Sequence, residues 1–396
     1  MKYASNLARL AALGGAKWEV HNKARALRSE GRDIIELTIG EPDVPPPDSL
    51  IKDAEQALRD GRIAYSDGRG EANLREALAR KYAARSGRHV SPDQVLCFPG
   101  TQTALYVTVA GLIEAGDEVL VGDPMYATYE AVIAASGGIA VGVPLRASNG
   151  FRMTAEDAAA RVTPRTRAIL LNTPHNPTGA VLSADTIGEI AELAARHDLW
   201  ILSDEVYEEM VFDGVTFVSP FDHTAAAPRT IAMSSISKSH AAPGFRSGWA
   251  VGPAEAMSTL LPLSETILFG NQPFIADMTA RAVDRPSPIA REMVSRFARR
   301  ATGLTAFFEE VPGIEVHAPE AGMFALLNVA ALAPSSDAYA LDLLKRTGVA
   351  VMPGASFGKE LEGWVRIALT VDDAALRTAC QRIATHAEIL KKAPLT

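Results

Sequence analysis

The chain has 396 residues, 47% hydrophobic and 22% charged, enough for a large core and more than one folding unit. Its formal net charge of -8 is spread rather than blocked, which argues against a nucleic-acid surface. Two cysteines, Cys97 and Cys380, exclude a disulfide scaffold or a zinc cluster and fit a reducing compartment.

The N-terminal run MKYASNLARLAALGGAKWEVHNKARALRSEG has no uninterrupted apolar stretch of the signal-peptide kind. No segment reaches 18 apolar residues free of charge, so no membrane span is expected and a cytoplasmic protein is. AEQALRDG and LREALARKYAARSG then read as helices that end in glycine. Short β-rich runs follow: QVLCF, EVLVG (118–122), RAILLN (167–172), WILSDE (200–205), TIAMSS (230–235) and GWAVG (248–252). Helical stretches such as TALYVTVAGLIEAG and ADTIGEIAELAARHD lie between them, the alternation of an α/β domain. Several runs are apolar at successive positions, as strands covered on both faces are. From 287 the rhythm changes. A long helix (287–311), strand-like runs in VAVMPG and WVRIALT, and a closing helix over 372–391 predict a smaller α+β domain. The expected division is an N-terminal arm with part of the small domain at 1–47, a large domain at 48–286 and a small domain at 287–396. The run GEPDVPPP would cross between the two.

In such a sheet the strand ends carry the chemistry. After QVLCFP, Gly100-Thr101-Gln102-Thr103 opens a helix; its free N–H groups suit a phosphate, and an ordinary cap is the alternative. After EVLVG, Tyr126 offers a ring to a planar ligand or simply to packing. TPHNPTG makes a rigid turn in which Asn176 is a ligand donor and His175 reads as structural. Asp204 ends an apolar strand, where a carboxylate needs a partner: a protonated ring nitrogen, or the N–H of the next turn. The stretch SSISKSHAAPGFRSGW holds Lys238, the only lysine between Lys81 and Lys345. Beside it stand Ser235 and Ser237, and Arg246 with the planar fork suited to phosphate. Ser235-Ile-Ser-Lys238 formally matches S-x-x-K, but the companion elements of that serine chemistry are missing. No metal-ligand spacing and no glycine-rich dinucleotide fingerprint is present.

Taken in order, IGEPD, YSDGRG, NTPHNPTG, SDEVY, SKSHAAPGFRSGW and VRIAL resemble the class I/II aminotransferases, pyridoxal 5'-phosphate enzymes of fold type I, over nearly the whole chain. The resemblance implies a large domain with a mostly parallel seven-stranded sheet between helices, plus the smaller α+β domain. It implies ping-pong transfer of an amino group from an L-amino acid to a 2-oxo acid. Lys238 would bond the cofactor and shuttle the proton, Asp204 would pair with the ring nitrogen, and Asn176 and Tyr207 would reach the ring oxygen. Tyr126 would stack on the ring. Thr101, Gln102, Ser235, Arg246 and a Tyr65 supplied by the second subunit of a homodimer would hold the phosphate. Arg366 would grip the substrate carboxylate, and Gly40 would pass close to the substrate. Trp18 would be a substrate-side wall, or packing.

The runs AKWEVH, YATYEAV, NGFR and SKSH resemble the arginine–pyruvate transaminase type within the family. Arginine as donor wants a distal carboxylate, for which Glu41, Asp43 and Glu19 are candidates. An acidic donor wants a second arginine, for which Arg62 and Arg69 are. Pyruvate or 2-oxoglutarate would be the acceptor. A C–S β-lyase is the alternative on the same residues, and a sensor domain behind a winged helix is not expected. Ala242, Pro243 and Ser247 depart from the family pattern.

Overall fold

Seven strands form the central sheet of the chain, seen in a computed structural model that describes residues 3–14 and 16–395. They are β1 (Val95–Phe98), β2 (Glu118–Asp123), β3 (Ile139–Pro144), β4 (Thr166–Asn172), β5 (Trp200–Asp204), β6 (Thr230–Ser235) and β7 (Gly248–Val251). Their order is β1-β7-β6-β5-β4-β2-β3. β2 to β6 run parallel, and β7 is antiparallel to both β6 and β1. The expected α/β sheet is therefore present. One strand, β3, was not among the runs read from the sequence. Gly138 and Gly142 break its apolar pattern, and it lies at the sheet edge with Ile139 exposed.

Helices cover both faces, which is why the strands are apolar at successive positions. Ile201 packs on one face with Ile187 and Ile190 of the helix Ala184–Arg196, while Leu202 packs on the other with Leu105 and Met257. After position 287 the chain builds a four-stranded sheet from Glu315–His317, Phe324–Asn328, Met352–Pro353 and Trp364–Ala368, all antiparallel neighbours. The helix Pro288–Glu309 starts with Ser287 capping the Ala290 N–H and proline at its first position, a standard helix entry.

The N-terminal segment joins this second body. Ile35–Glu36 pairs in parallel with Val349–Ala350, and Leu37 bonds Ala350 and Ala368 through its backbone. The GEPD run that follows is held by Asp43, which receives Arg296 at 3.0 and 2.8 Å and Arg300 at 2.7 Å. Removing one partner from a buried ion group leaves the others uncompensated. Asp43→Ala is expected to lower the unfolding free energy by about 3 kcal/mol. A denaturant midpoint unchanged from the parent would contradict this.

Candidate active site

Six of the seven strands point their C-terminal ends at one edge of the sheet. There the chain closes a cavity of about 340 Å³ between the sheet, the GEPD segment and the antiparallel strands after 287. Thr101, Gln102, Tyr126, Asn176, Asp204, Tyr207, Ser235, Lys238, Arg246, Arg366, Gly40 and Trp18 all line it. Of the residues expected to hold the cofactor, Tyr65 lies elsewhere. It is 94% exposed and packs edge-on against Phe269 at 6.3 Å.

One end of the cavity is built for an anion. The helix Thr101–Leu112 begins at Gly100 with φ +92°, and no side chain caps it. The ordinary-cap alternative fails here, because Thr103 Oγ1 instead donates to the Pro99 carbonyl, 3.4 Å away. Thr101 Oγ1 is buried without a hydrogen-bond partner. Arg246 sits beside it in the left-handed region, its guanidinium donating to the carbonyls of Pro243 (2.8 Å) and Pro99 (3.4 Å). Glycine is required where β7 passes this helix start: a Cβ on Gly248 would lie 2.6 Å from the Gly100 carbonyl carbon and 2.8 Å from the Thr101 nitrogen. Ser235 Oγ caps the one-turn helix Ile236–Ser239, accepting from the Ser237 N–H at 3.3 Å.

That short helix presents Lys238. Its Nζ donates to the Gly40 carbonyl at 2.6 Å. Burial lowers the amine to about 8. The Glu41 and Asp204 charges oppose that shift, and Arg366 and Arg246 reinforce it. Asp204 lies at the end of β5, where burial raises its carboxyl to about 6. Three groups draw it back: the Tyr129 hydroxyl at 2.7 Å, the Val206 N–H at 3.2 Å and the Lys238 charge. Tyr129 is a site residue that sequence reading missed. Its only signal was a second aromatic three positions after Tyr126, whose ring meets it edge-on at 5.4 Å.

Arg366 is buried opposite. It donates to Asn176 Oδ1 at 2.9 Å and to the Thr38 carbonyl at 2.5 Å, while its Nε has no partner. Because arginine only donates, Asn176 must turn its oxygen to Arg366, which leaves its NH2 as the group to offer a ligand. Phe324 and Phe357 flank the guanidinium at 3.9 and 4.6 Å. Burial lowers it to about 10, still charged at neutral pH. Phe324 also fixes the need for Gly40, since a Cβ there would collide with its ring. Trp18 lines the cavity and packs on His21 and the core together, so wall and packing coincide. His175 is buried against Thr178, as its structural reading expected.

The distal candidates separate. Asp43 is consumed by its arginines, Glu19 is exposed away from the cavity, and Glu41 lines it. Arg62 is held by Glu71 and Asp277, and Arg69 bonds Ser258; neither lines the cavity. Two departures from the family pattern find partners. Ser247 Oγ accepts from Asn271 (3.1 Å) and Thr279 (2.8 Å), and the Pro243 carbonyl holds Arg246. Ala242 is buried in the core against the helices below.

These residues fit pyridoxal phosphate. An uncapped helix start and Arg246 suit its phosphate, the buried Asp204 suits a protonated ring nitrogen, and Lys238 suits its aldehyde. Among the described residues no cluster of metal-ligating side chains occurs. A family model described as aminotransferase class I and II matches residues 32–383. The chain is 42% identical over 394 residues to an arginine–pyruvate transaminase of Pseudomonas aeruginosa, covering 99% of this chain and 100% of that one. It is 33% identical over 380 residues to an aspartate/prephenate aminotransferase of Cereibacter sphaeroides, covering 92% and 94%. The solved aspartate aminotransferase from Rhizobium meliloti superposes with a TM-score of 0.93 at 28% identity, over 98% of this chain and 99% of that one. The Thermus thermophilus enzyme with maleate does so with a TM-score of 0.90 at 30% identity, over 98% and 100%.

Proposed function

The chain belongs to the class I and II aminotransferases, and on that premise we propose how its own residues carry the reaction and which donor it prefers. It is a pyridoxal phosphate enzyme that moves an amino group between an amino acid and a 2-oxo acid. The observation that carries the residue assignment is the meeting in one cavity of a buried amine, a buried carboxylate and a buried guanidinium with an unused N–H.

Bound pyridoxal phosphate supplies an electron sink for the pair left when the substrate Cα loses its proton. Thr101, Gln102, Ser235 and Arg246 hold the phosphate, and Tyr65 of the partner subunit completes that site in a homodimer. The exposure of Tyr65 supports this last assignment. Asp204, kept ionised by Tyr129 and Val206, holds a proton on the ring nitrogen. Tyr126 would pack against the cofactor ring, and Asn176 and Tyr207 would hydrogen-bond its oxygen. Arg366 takes the substrate carboxylate on its free N–H edge, in the same cavity as Lys238. Lys238 Nζ would take the Cα proton and deliver it to the cofactor instead of back to Cα, Gly40 leaving room for the substrate beside it. The division into a large body at 48–286 and a small one at 287–396 with the N-terminal arm would let the two close on this substrate. We assign the enzyme to the cytoplasm.

Burial of the Lys238 amine carries a pH dependence. The neutral amine is the nucleophile, so covalent uptake of pyridoxal phosphate by the apoprotein is expected to fall about tenfold per unit below pH 8. Above that the rate should level. A break that stays near 10.5, the ordinary lysine value, would contradict it.

Arginine is the proposed donor and pyruvate the proposed acceptor, on the likeness to the Pseudomonas aeruginosa enzyme and on Glu41 as the carboxylate at the cavity mouth. Beyond Arg246, assigned to the phosphate, and Arg366, assigned to the α-carboxylate, no further arginine among the described residues lines the cavity to favour an acidic donor. The test compares kcat/KM for arginine and aspartate with pyruvate saturating. Arginine should lead by about tenfold or more, one well-placed charge contact. Parallel double-reciprocal lines should accompany it. Preference for aspartate would reject the donor assignment.

A further inference from the structure

Just outside the cavity, ionisable side chains meet in one group, the Glu205 and Glu208 carboxylates buried and Lys81, Arg85 and Asp222 half-buried, and none of them lines the cavity. Lys81 and Arg85 come from the helix Ala72–Ser86, Glu205 and Glu208 from the turn after β5, and Asp222 from the loop before β6. Arg85 is the hub. Its guanidinium meets Glu205 at 3.2 Å, Asp222 at 2.7 Å and Glu208. Lys81 meets Glu208 at 2.9 Å, and Ser219 donates to Glu205 at 2.5 Å.

Charges buried in this number bring little net stability, since apolar groups of the same shape fill such a space at no loss. Stability alone does not account for the cluster, but its connections do. Each cluster residue on the sheet side is the chain neighbour of a cavity residue. Glu205 follows Asp204, Glu208 follows Tyr207, and Ser234, which donates to the Glu205 carbonyl at 3.4 Å, precedes Ser235. At the strand ends successive residues face opposite ways, so an anchor on Glu205 or Ser234 fixes the direction of Asp204 or Ser235, and in the turn that follows the Glu208 N–H bonds the Glu205 carbonyl at 2.8 Å. Both carboxylates of the turn 205–208 are held by one guanidinium from a helix.

We propose that Arg85 is a positioning residue for amino-group transfer: by joining Glu205 and Glu208 it fixes the turn that aims Asp204 and Tyr207 into the cavity. The inference rests on the reading that those two residues hold the cofactor ring. Arg85 and its carboxylates touch no substrate and act only through the turn.

The test uses holoenzyme carrying Arg85→Met, Arg85→Lys or the isosteric Glu208→Gln, beside Asp204→Asn and Tyr207→Phe. For each, kcat, donor KM, the pH midpoint of the visible absorption of bound cofactor and the urea midpoint are measured. Arg85→Met and Glu208→Gln should lower kcat by about tenfold or more, as small misplacements of catalytic groups do. Donor KM should stay within about threefold, because Arg366 is untouched. The pH midpoint should move by about 0.5 unit or more. Arg85→Lys should recover part of the kcat. Where Arg85→Met does not fold, Glu208→Gln carries the test. Folded variants with a lower urea midpoint but parental kcat and pH midpoint would overturn the proposal. If Asp204→Asn and Tyr207→Phe also leave kcat and the pH midpoint unchanged, the reading of the cavity falls first, and the proposal with it.

Discussion

Lys238→Ala is expected to abolish the visible absorption of covalently held cofactor and to slow amino-group transfer by about 10⁴-fold or more, a proton shuttle and a covalent anchor lost together. The geometry leaves no substitute. Among the described residues Lys238 is the only lysine lining the cavity, and the other cations there, Arg246 and Arg366, have no proton to give up at neutral pH. Burial has already brought the amine to about 8, so near neutrality a usable fraction is neutral. The variant should still bind the cofactor phosphate, since Thr101, Ser235 and Arg246 are unaltered. It should also fold, because a residue at a cavity wall is removed rather than a core one. An unchanged spectrum would refute the assignment.

Arg366→Met is expected to cut kcat/KM for amino acids by about 10³-fold, the effect of removing one member of a buried charge pair. Methionine keeps the length and fits between Phe324 and Phe357, so the loss reports charge and hydrogen bonding rather than packing. Both substrate classes carry a carboxylate next to the reacting carbon, so donor and acceptor should suffer alike. Binding of the cofactor should not. Steady-state kinetics with both substrates separates these effects. A loss confined to the donor would mean that Arg366 recognises a side chain instead.

Much of this site was legible because its chemistry is local to the strand ends. Lys238 was conspicuous as a lone lysine after an apolar strand, and Asp204 as a carboxylate where burial demands a partner. What stayed hidden depends on contacts between distant positions. No sequence signal singled out Phe324 and Phe357, and only the folded chain places them around Arg366. The Thr38 carbonyl that accepts from Arg366 has no signal at all, being backbone. Nothing in the sequence singled out Tyr129, and only the folded chain brings its hydroxyl to Asp204. The Arg85 cluster was invisible for a similar reason. LREALARKYAARSG reads only as a helix that ends in glycine, yet Lys81 and Arg85 reach carboxylates more than 120 positions away. Ser247 departed from the family pattern without a reason until Asn271 and Thr279 were placed beside it.

The central claim is that a donor amino group leaves on the enzyme before the acceptor arrives. Holoenzyme mixed with an excess of arginine and no oxo acid should release one equivalent of the corresponding oxo acid per chain and then stop. Adding pyruvate should restart it and yield alanine. Continuous release of pyruvate and ammonia from a β-substituted donor such as cysteine with no oxo acid present, and none of the oxo acid from arginine, would contradict the account and identify an elimination enzyme on the same residues.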